Sequence, residues 1–361
     1  MCATSGAARA GGAATDAYSD IDDLDLHGLL DGYWLHNFDA PASERNQLRA
    51  FDYSTGFALD YARLTLARRP KTVGFRIDAG VGNTARVFYE QDPAAAQHPR
   101  FARATSYLGQ AFVTIVLPFD RPVALDVGKF GTPVGFEDNE ALTNWNYSRS
   151  LIYSWAEPTL HTGLRLSCKL TDTLDASVFW VNGWDAVIFD GSGMRTFAGA
   201  ITWRPTPWVE ISVVDMLGLE HPQTQPTAPL AFRNVLDAYA IFKANEWLTL
   251  AASGDHVADA HDGGGAWWGG AAYARAQALP WLWTTLRGEY LTDPNGFATG
   301  TKQDLVEGTA TVELTHDIER LRLRLRVEYR HDRSTAQPFD AAVPASRATQ
   351  DTFTVAVIVA F

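Results

Sequence analysis

The chain contains no run of about eighteen uncharged apolar residues, so it cannot cross a membrane as helices. Its mean hydropathy is only −0.14, although 46% of its residues are hydrophobic. Cysteine is scarce: Cys2 and Cys168 are too few and too far apart for a disulfide framework or a zinc site. Cys168 falls on the apolar face of an expected strand, where it serves as a small hydrophobe. Basic residues are outnumbered, 30 Lys and Arg against 42 Asp and Glu, giving a net charge of −12. Without a basic footprint, nucleic acid is excluded as a partner. No blade motif recurs at a fixed period, which argues against a β-propeller. No motif implies a cofactor.

The start of the chain lacks the apolar core of a signal peptide, yet Ala8-Arg9-Ala10 before Gly11-Gly12 resembles a small-residue cleavage site. Residues 1–23 are therefore read as the remnant of an export signal followed by a solvated acidic stretch, with Asp16, Asp20, Asp22 and Asp23 leading to Asp25. Cys2 as a lipid anchor is disfavoured, since no apolar run precedes it. Residues 24–361 are read as one domain.

Strand signals are abundant. At the end of the chain Phe353, Val355, Val357, Val359 and Phe361 share one face, with Thr352, Thr354 and Ala356 on the other. Just before it, Leu321, Leu323, Leu325, Val327 and Tyr329 alternate with Arg320, Arg322, Arg324, Arg326, Glu328 and Arg330. A period of two marks strands with one apolar and one wet face. Sixteen such segments are expected, at 24–38, 53–68, 72–90, 104–117, 122–131, 159–170, 174–184, 195–204, 208–218, 231–244, 247–256, 266–278, 281–291, 304–315, 320–331 and 350–361. The second and twelfth alternate weakly and are expected to carry bulges; fourteen strands would remain if two weak segments were loops.

The links alternate in length. Arg69-Pro70-Lys71, Thr171-Asp172-Thr173, Asn245-Glu246 and Leu279-Pro280 are short, whereas 91–103, 132–158 and 332–349 are long. The expected fold is thus all-β: a transmembrane antiparallel up-and-down barrel with short periplasmic turns and long extracellular loops. Lipid satisfies no backbone hydrogen bond, so strands cross it only as a closed sheet. A barrel of about sixteen strands is too wide for side chains to fill. Of the aromatic residues, Trp203, Tyr290, Tyr329 and Phe361 fall on the lipid face near strand ends, as an interfacial belt requires. Trp208, Trp247 and Trp281 follow short turns, but strict parity points them inward; either those strands start with a shifted register or these rings line the periplasmic mouth.

Particular segments carry a resemblance. Gly128-Lys129-Phe130-Gly131-Thr132-Pro133-Val134-Gly135-Phe136-Glu137, then Asn144-Trp145-Asn146-Tyr147-Ser148-Arg149-Ser150 and Pro158-Thr159-Leu160-His161-Thr162-Gly163, are similar to the OmpL-like β-barrel porin family. So are Gly28-Leu29-Leu30-Asp31-Gly32-Tyr33-Trp34 and Val181-Asn182-Gly183-Trp184. The resemblance runs from about residue 25 to Phe361 and implies an integral outer-membrane protein that forms a pore. The terminal Phe361 resembles the assembly signal of outer-membrane proteins. Partners so implied are outer-membrane lipid and lipopolysaccharide, the barrel-assembly machinery and small hydrophilic solutes; nothing identifies a subunit interface.

The third long connection, 132–158, is placed like the loop that in general porins folds inward as a constriction, with Glu137, Asp138, Glu140, Asn144, Asn146 and Arg149 as its polar groups. An exposed loop that restricts nothing is the alternative. Facing it, Arg320, Arg322, Arg324, Arg326 and Arg330, with Arg165 and Lys169, form a candidate pore-lining ladder. Rings of basic side chains favour anions. Glu307 and Glu313 face the same way, however, and cross-strand salt bridges that stiffen the wall are the competing reading. Asp255, His256, Asp259, His261 and Asp262 match no metal motif and read as a solvated outer loop. Ser148, Ser150 and His161 lack a nucleophile elbow, so no enzyme is expected. A non-conducting structural or adhesive barrel is the alternative to a pore.

Overall fold

The computed structural model describes residues 24–361 except 54, 188–194, 221–228, 262–263 and 343–345. The N-terminal acidic stretch, Cys2 and Asp262 lie outside the described residues. The chain forms sixteen barrel strands. The first half comprises β1 (Leu24–Asn37), β2 (Gly56–Arg68), β3 (Val73–Val81), β4 (Leu108–Leu117), β5 (Val123–Gly131), β6 (Leu160–Lys169), β7 (Leu174–Val181) and β8 (Thr196–Thr206). The second half comprises β9 (Val209–Glu220), β10 (Ala231–Lys243), β11 (Leu248–Asp259), β12 (Gly265–Leu279), β13 (Leu282–Asp293), β14 (Gln303–Ile318), β15 (Leu321–Ser334) and β16 (Thr349–Ala360). Each pairs antiparallel with its neighbours in sequence, and β16 returns to β1, closing the barrel without an edge.

The barrel is turned inside out relative to a protein that faces water. Leu26, Leu30, Leu64, Val113, Leu286 and Val357 are exposed on its outside, while Asp31, Asp126, Arg287, Glu307, Arg326 and Glu328 are buried within. Alternation alone achieves this, because successive strand residues point to opposite faces and only one face meets hydrocarbon. In β2, Asp31 pairs with Tyr61 but Gly32 with Leu59, leaving Asp60 as an extra residue that also points inward. That is the bulge expected there; the irregularity of β12 sits at Gln277 to Leu279, beside its turn.

Two expectations are corrected. The third segment does not run to residue 90: alternation stops at Val81, and Asn83–Gln91 and Pro99–Ser106 form helices α1 and α2. Val87 and Phe88 are both buried although adjacent, a pattern that a strand with one wet face cannot give. Phe88 meets the inward ring of Tyr61 edge-on, and Asn83 donates to the Tyr33 hydroxyl at 2.9 Å, so α1 covers the inner faces of β1 and β2. Second, Asp255, His256 and Asp259 belong to β11 rather than to an outer loop.

The question of the three tryptophans is settled by the turns. Trp208, Trp247 and Trp281 stand in the periplasmic turns themselves, exposed, and their strands start one residue later. Their carbonyls accept from the backbone N–H of Lys243, Gln277 and Thr315 at 2.8, 2.8 and 2.9 Å. Strand parity therefore does not apply to them.

Candidate functional site

The connection between β5 and β6 folds back into the barrel. It leaves β5 through Thr132 and Pro133, turns at Glu140 to Asn144, and returns through the short helix α3 (Leu151–Ala156). Its two arms are joined locally. Asn144 receives the Asp138 N–H at 2.7 Å and donates to the Asp138 carbonyl at 2.8 Å. Glu137 accepts the Ser150 N–H at 2.6 Å, and Ser150 in turn caps α3 by accepting from Tyr153. A side-chain oxygen at that position satisfies an amide that the first helical turn leaves unpaired.

Two inward carboxylates of the wall clamp the loop backbone. Glu328 on β15 accepts the N–H groups of Tyr147 and Ser148 at 2.6 and 3.0 Å. Glu289 on β13 accepts those of Leu151 and Ile152 at 2.7 and 2.6 Å. Arginines complete the attachment from the same side. Arg326 donates to the carbonyls of Ala141, Asn144 and Asn146, and Arg330 to that of Arg149 at 2.6 Å. Arg287 bonds Glu137 at 2.8 Å and the Ser148 carbonyl at 2.7 Å. Farther round the same side, beyond β16, Arg63 on β2 pairs with Glu140 at 2.6 Å, and the Tyr147 hydroxyl donates to Asp31 on β1 at 3.0 Å.

The charges so buried are balanced. Arg326 pairs with Glu313 at 2.6 Å, Arg287 with Glu307 at 2.9 Å, and Arg330 with Asp332 at 2.8 Å. Breaking one partner of such a pair leaves an uncompensated buried charge and costs about 3–5 kcal/mol. In the loop itself, burial pushes the carboxyls of Asp138 and Glu140 up, opposed by backbone amides of Glu140 and Asn139 at the first and by Arg63 at the second. An aromatic group fixes the loop against β10 and β12: Phe136 packs on Trp145, Tyr239 and Tyr273 with ring centroids 5.3, 5.9 and 4.6 Å away.

A space lies between the loop at Asp138, Asn139 and Thr143 and the wall at Ser177, Thr202 and Arg204. Arg204, with its side chain 42% exposed, is flanked by Asp175 and by Glu210 at 2.9 Å. Further round, Arg165 pairs with Asp126 at 2.8 Å and Arg76 with Asp78 at 2.9 Å.

The expected ladder is thereby divided. Arg326 and Arg330, with Glu307 and Glu313, do face the interior, but they are buried beneath the loop rather than bathed by an open lumen. Arg324 pairs with Asp317 at 2.5 Å, and Arg322 and Lys169 are exposed near the periplasmic rim. Arg320 is not a strand residue: Glu319, at φ 52°, makes the β14–β15 turn with it. Of the loop residues, Glu137, Asn144, Asn146 and Arg149 are buried as fasteners, whereas Asp138 and Glu140 are partly open. Sequence reading did not single out Arg287 or Arg63, and it took Glu289 and Glu328 only as acids near the arginines, not as clamps of the loop. Their signal was inward parity combined with charge; their loop partners lie too far along the chain to be read.

The OmpL-like beta-barrel porin-2 family model matches residues 23–361. The chain belongs to this family. It is an integral outer-membrane porin, a channel for passive diffusion of small hydrophilic solutes. Solved structures share the fold at low identity. The outer-membrane channel DcaP of Acinetobacter baumannii is 12% identical with a TM-score of 0.62, over 94% of this chain and 97% of that one. An anion-selective porin from Comamonas acidovorans is 13% identical with a TM-score of 0.60, over 94% and 99%. The trimer form of OmpT from Vibrio cholerae is 9% identical with a TM-score of 0.60, also over 94% and 99%. No curated protein sequence matches the chain.

Proposed function

We propose that segment 132–158 is the constriction of this porin, and that solutes pass between it and the wall formed by β7 to β9. The observation that carries this reading is the asymmetry of the attachment: the clamps of β13 and β15 hold the loop to one side, and the space lined by Ser177, Thr202 and Arg204 lies on the other. The loop narrows the lumen without filling it. Hydroxyl and amide side chains share that opening with the carboxylates of Asp138 and Asp175, and the arginines near it stand beside carboxylates. Charge selection in a pore follows rings of one sign, so the expected preference among small hydrophilic solutes is for size, with weak discrimination by charge. Of the ladder, Arg326 and Arg330 serve attachment and Arg165 and Arg324 pair with carboxylates, which argues for wall-stiffening over anion selection. Lipopolysaccharide and the assembly machinery are the partners that the outer face and Phe361 would meet.

Refolded protein in a planar bilayer is expected to give stepwise currents, with a reversal potential near zero across a tenfold salt gradient. Arg204→Ala should move that potential toward cation preference, because it removes the cation that stands between Asp175 and Glu210 beside the opening. Absence of discrete steps would mean a closed, structural or adhesive barrel; a strong anion preference unaffected by Arg204→Ala would place selection elsewhere.

A further inference from the structure

We infer that a carboxyl cluster at the base of the inward loop, Glu157 with Asp237 and Asp255, makes the docking of that loop depend on a proton. With Glu157 neutral, the returning arm rests on the wall; with Glu157 ionised, it is driven off. The constriction reading enters only in what this does to the current.

Asp237 on β10 and Asp255 on β11 are direct cross-strand partners, and both point inward. Like charges placed opposite one another on a sheet repel. Both aspartates are buried, their carboxyls lie against one another, and the backbone N–H of Gly135 on the outgoing arm reaches Asp237. Glu157, at the end of the loop, is equally buried, and its Oε2 is without a partner. The same carboxyl is wedged against the outgoing arm. Gly135 there has φ 96°, and a Cβ added to it would lie 1.6 Å from Glu157 Oε2. Both arms of the loop therefore meet at an acid that faces the aspartate pair.

Among the described residues, the charges that act most strongly on Glu157 are acids rather than cations. Glu137 on the outgoing arm and Glu289 on β13 are themselves acids whose fields act on Glu157. Arg287 on β13 is engaged by Glu137 and Glu307, and Arg330 on β15 by Asp332. Among the described residues, no group of three or more His, Cys, Asp or Glu side chains has the geometry to hold a metal ion. A proton remains as the means of relieving the repulsion, as when two carboxyls share one site. Burial first, then Asp255 and Asp237, hold the Glu157 carboxyl well above the usual glutamate range.

The sign follows by linkage. The docked loop keeps a proton that a solvated Glu157 gives up, so from the ordinary value of 4.5 upward the docked state binds more protons than the released one. Docking is thus strongest in acid and weakens as pH rises, with the docked-to-released ratio falling by up to about tenfold per pH unit within that window. Ile152, which packs over Gly269, and Trp155, whose carbonyl accepts from Trp267 at 2.9 Å, would move with the arm.

The test is hydrogen exchange at residues 151–156 of the refolded full chain from pH 5 to 9, corrected for intrinsic rates, beside bilayer currents. In the wild type, protection should fall as pH rises. Glu157→Gln should hold the acid-state protection across the range, and Asp237→Asn with Asp255→Asn should flatten the dependence. A wild type whose protection is constant from pH 5 to 9, or Glu157→Gln with the wild-type dependence, overturns the proposal. So does restoration of the acid state at pH 8 by calcium alone, which would make the ligand a metal ion. Protection that follows pH while the current does not supports the proposal and instead defeats the constriction reading.

Discussion

Replacing Glu289 and Glu328 together by alanine is expected to raise the single-channel conductance of the porin by about twofold or more and to make it noisy, because the lumen reopens toward the width of an unplugged barrel. Each of these carboxylates accepts two consecutive backbone N–H groups of the loop. Hydrogen bonds to a charged acceptor contribute about 1.5–3 kcal/mol apiece, and a buried amide left without one is penalised. Four such amides, from Tyr147 to Ile152, would lose their acceptor at once. The wall should survive. Neither glutamate is the salt-bridge partner of a wall arginine: Arg287, Arg326 and Arg330 keep Glu307, Glu313 and Asp332. Unchanged heat-stability of the barrel on gels, together with larger and fluctuating currents, is the expected pair of results. The glutamine pair should fall between, since each amide side chain offers one acceptor oxygen and turns a donor toward the second N–H. Wild-type conductance with wild-type noise in the alanine pair would show that the clamps do not hold a constriction.

How far these features could be read in advance depends on whether their cause is local. The strands could be read because one face meets lipid, which forces a period of two on segments such as Leu321 to Tyr329 and Phe353 to Phe361. Inward parity also placed Arg326 and Glu313 correctly on the lumen side of adjacent strands, where they pair. What Arg326 does there could not be read: its other partners are carbonyls at Ala141, Asn144 and Asn146, nearly half the chain away. An arginine that lines water and one that holds a loop have the same strand signature. The helices failed to show for a different reason. The β3 alternation runs into Asn83–Gln91 without a break in composition, and α1 is only two and a half turns long, too short for its own period to stand out. The turn tryptophans misled because parity was carried through residues that belong to no strand.

Enlarging Gly28 and removing the terminal ring should give opposite results in the tube and in the cell. Gly28 and Phe361 form a reciprocal backbone pair, each N–H donating to the other's carbonyl at 3.0 Å, beside the register that joins β1 to β16. The Phe361 ring lies directly over Gly28: a Cβ there would stand 2.1 Å from the ring's Cε1. Gly28→Val therefore forces the ring aside at the seam where the barrel closes. Overpacking of this kind costs about 1–3 kcal/mol, and at the last strand pair it should lower the yield of heat-stable barrel on refolding from urea. Phe361→Ala removes the ring and so removes the clash. Phe361 is 47% exposed, so the packing it forfeits is modest and refolding into lipid should proceed nearly as in the wild type. In cells, by contrast, a role for Phe361 as an assembly signal requires that Phe361→Ala accumulate severalfold less in the outer membrane. Combining the two changes separates the roles further. Gly28→Val with Phe361→Ala should refold better than Gly28→Val alone, since the valine then fills the space the ring vacated, while remaining as poorly assembled in cells as Phe361→Ala. Outer-membrane levels of Phe361→Ala equal to the wild type would leave the ring a packing element of the seam and nothing more.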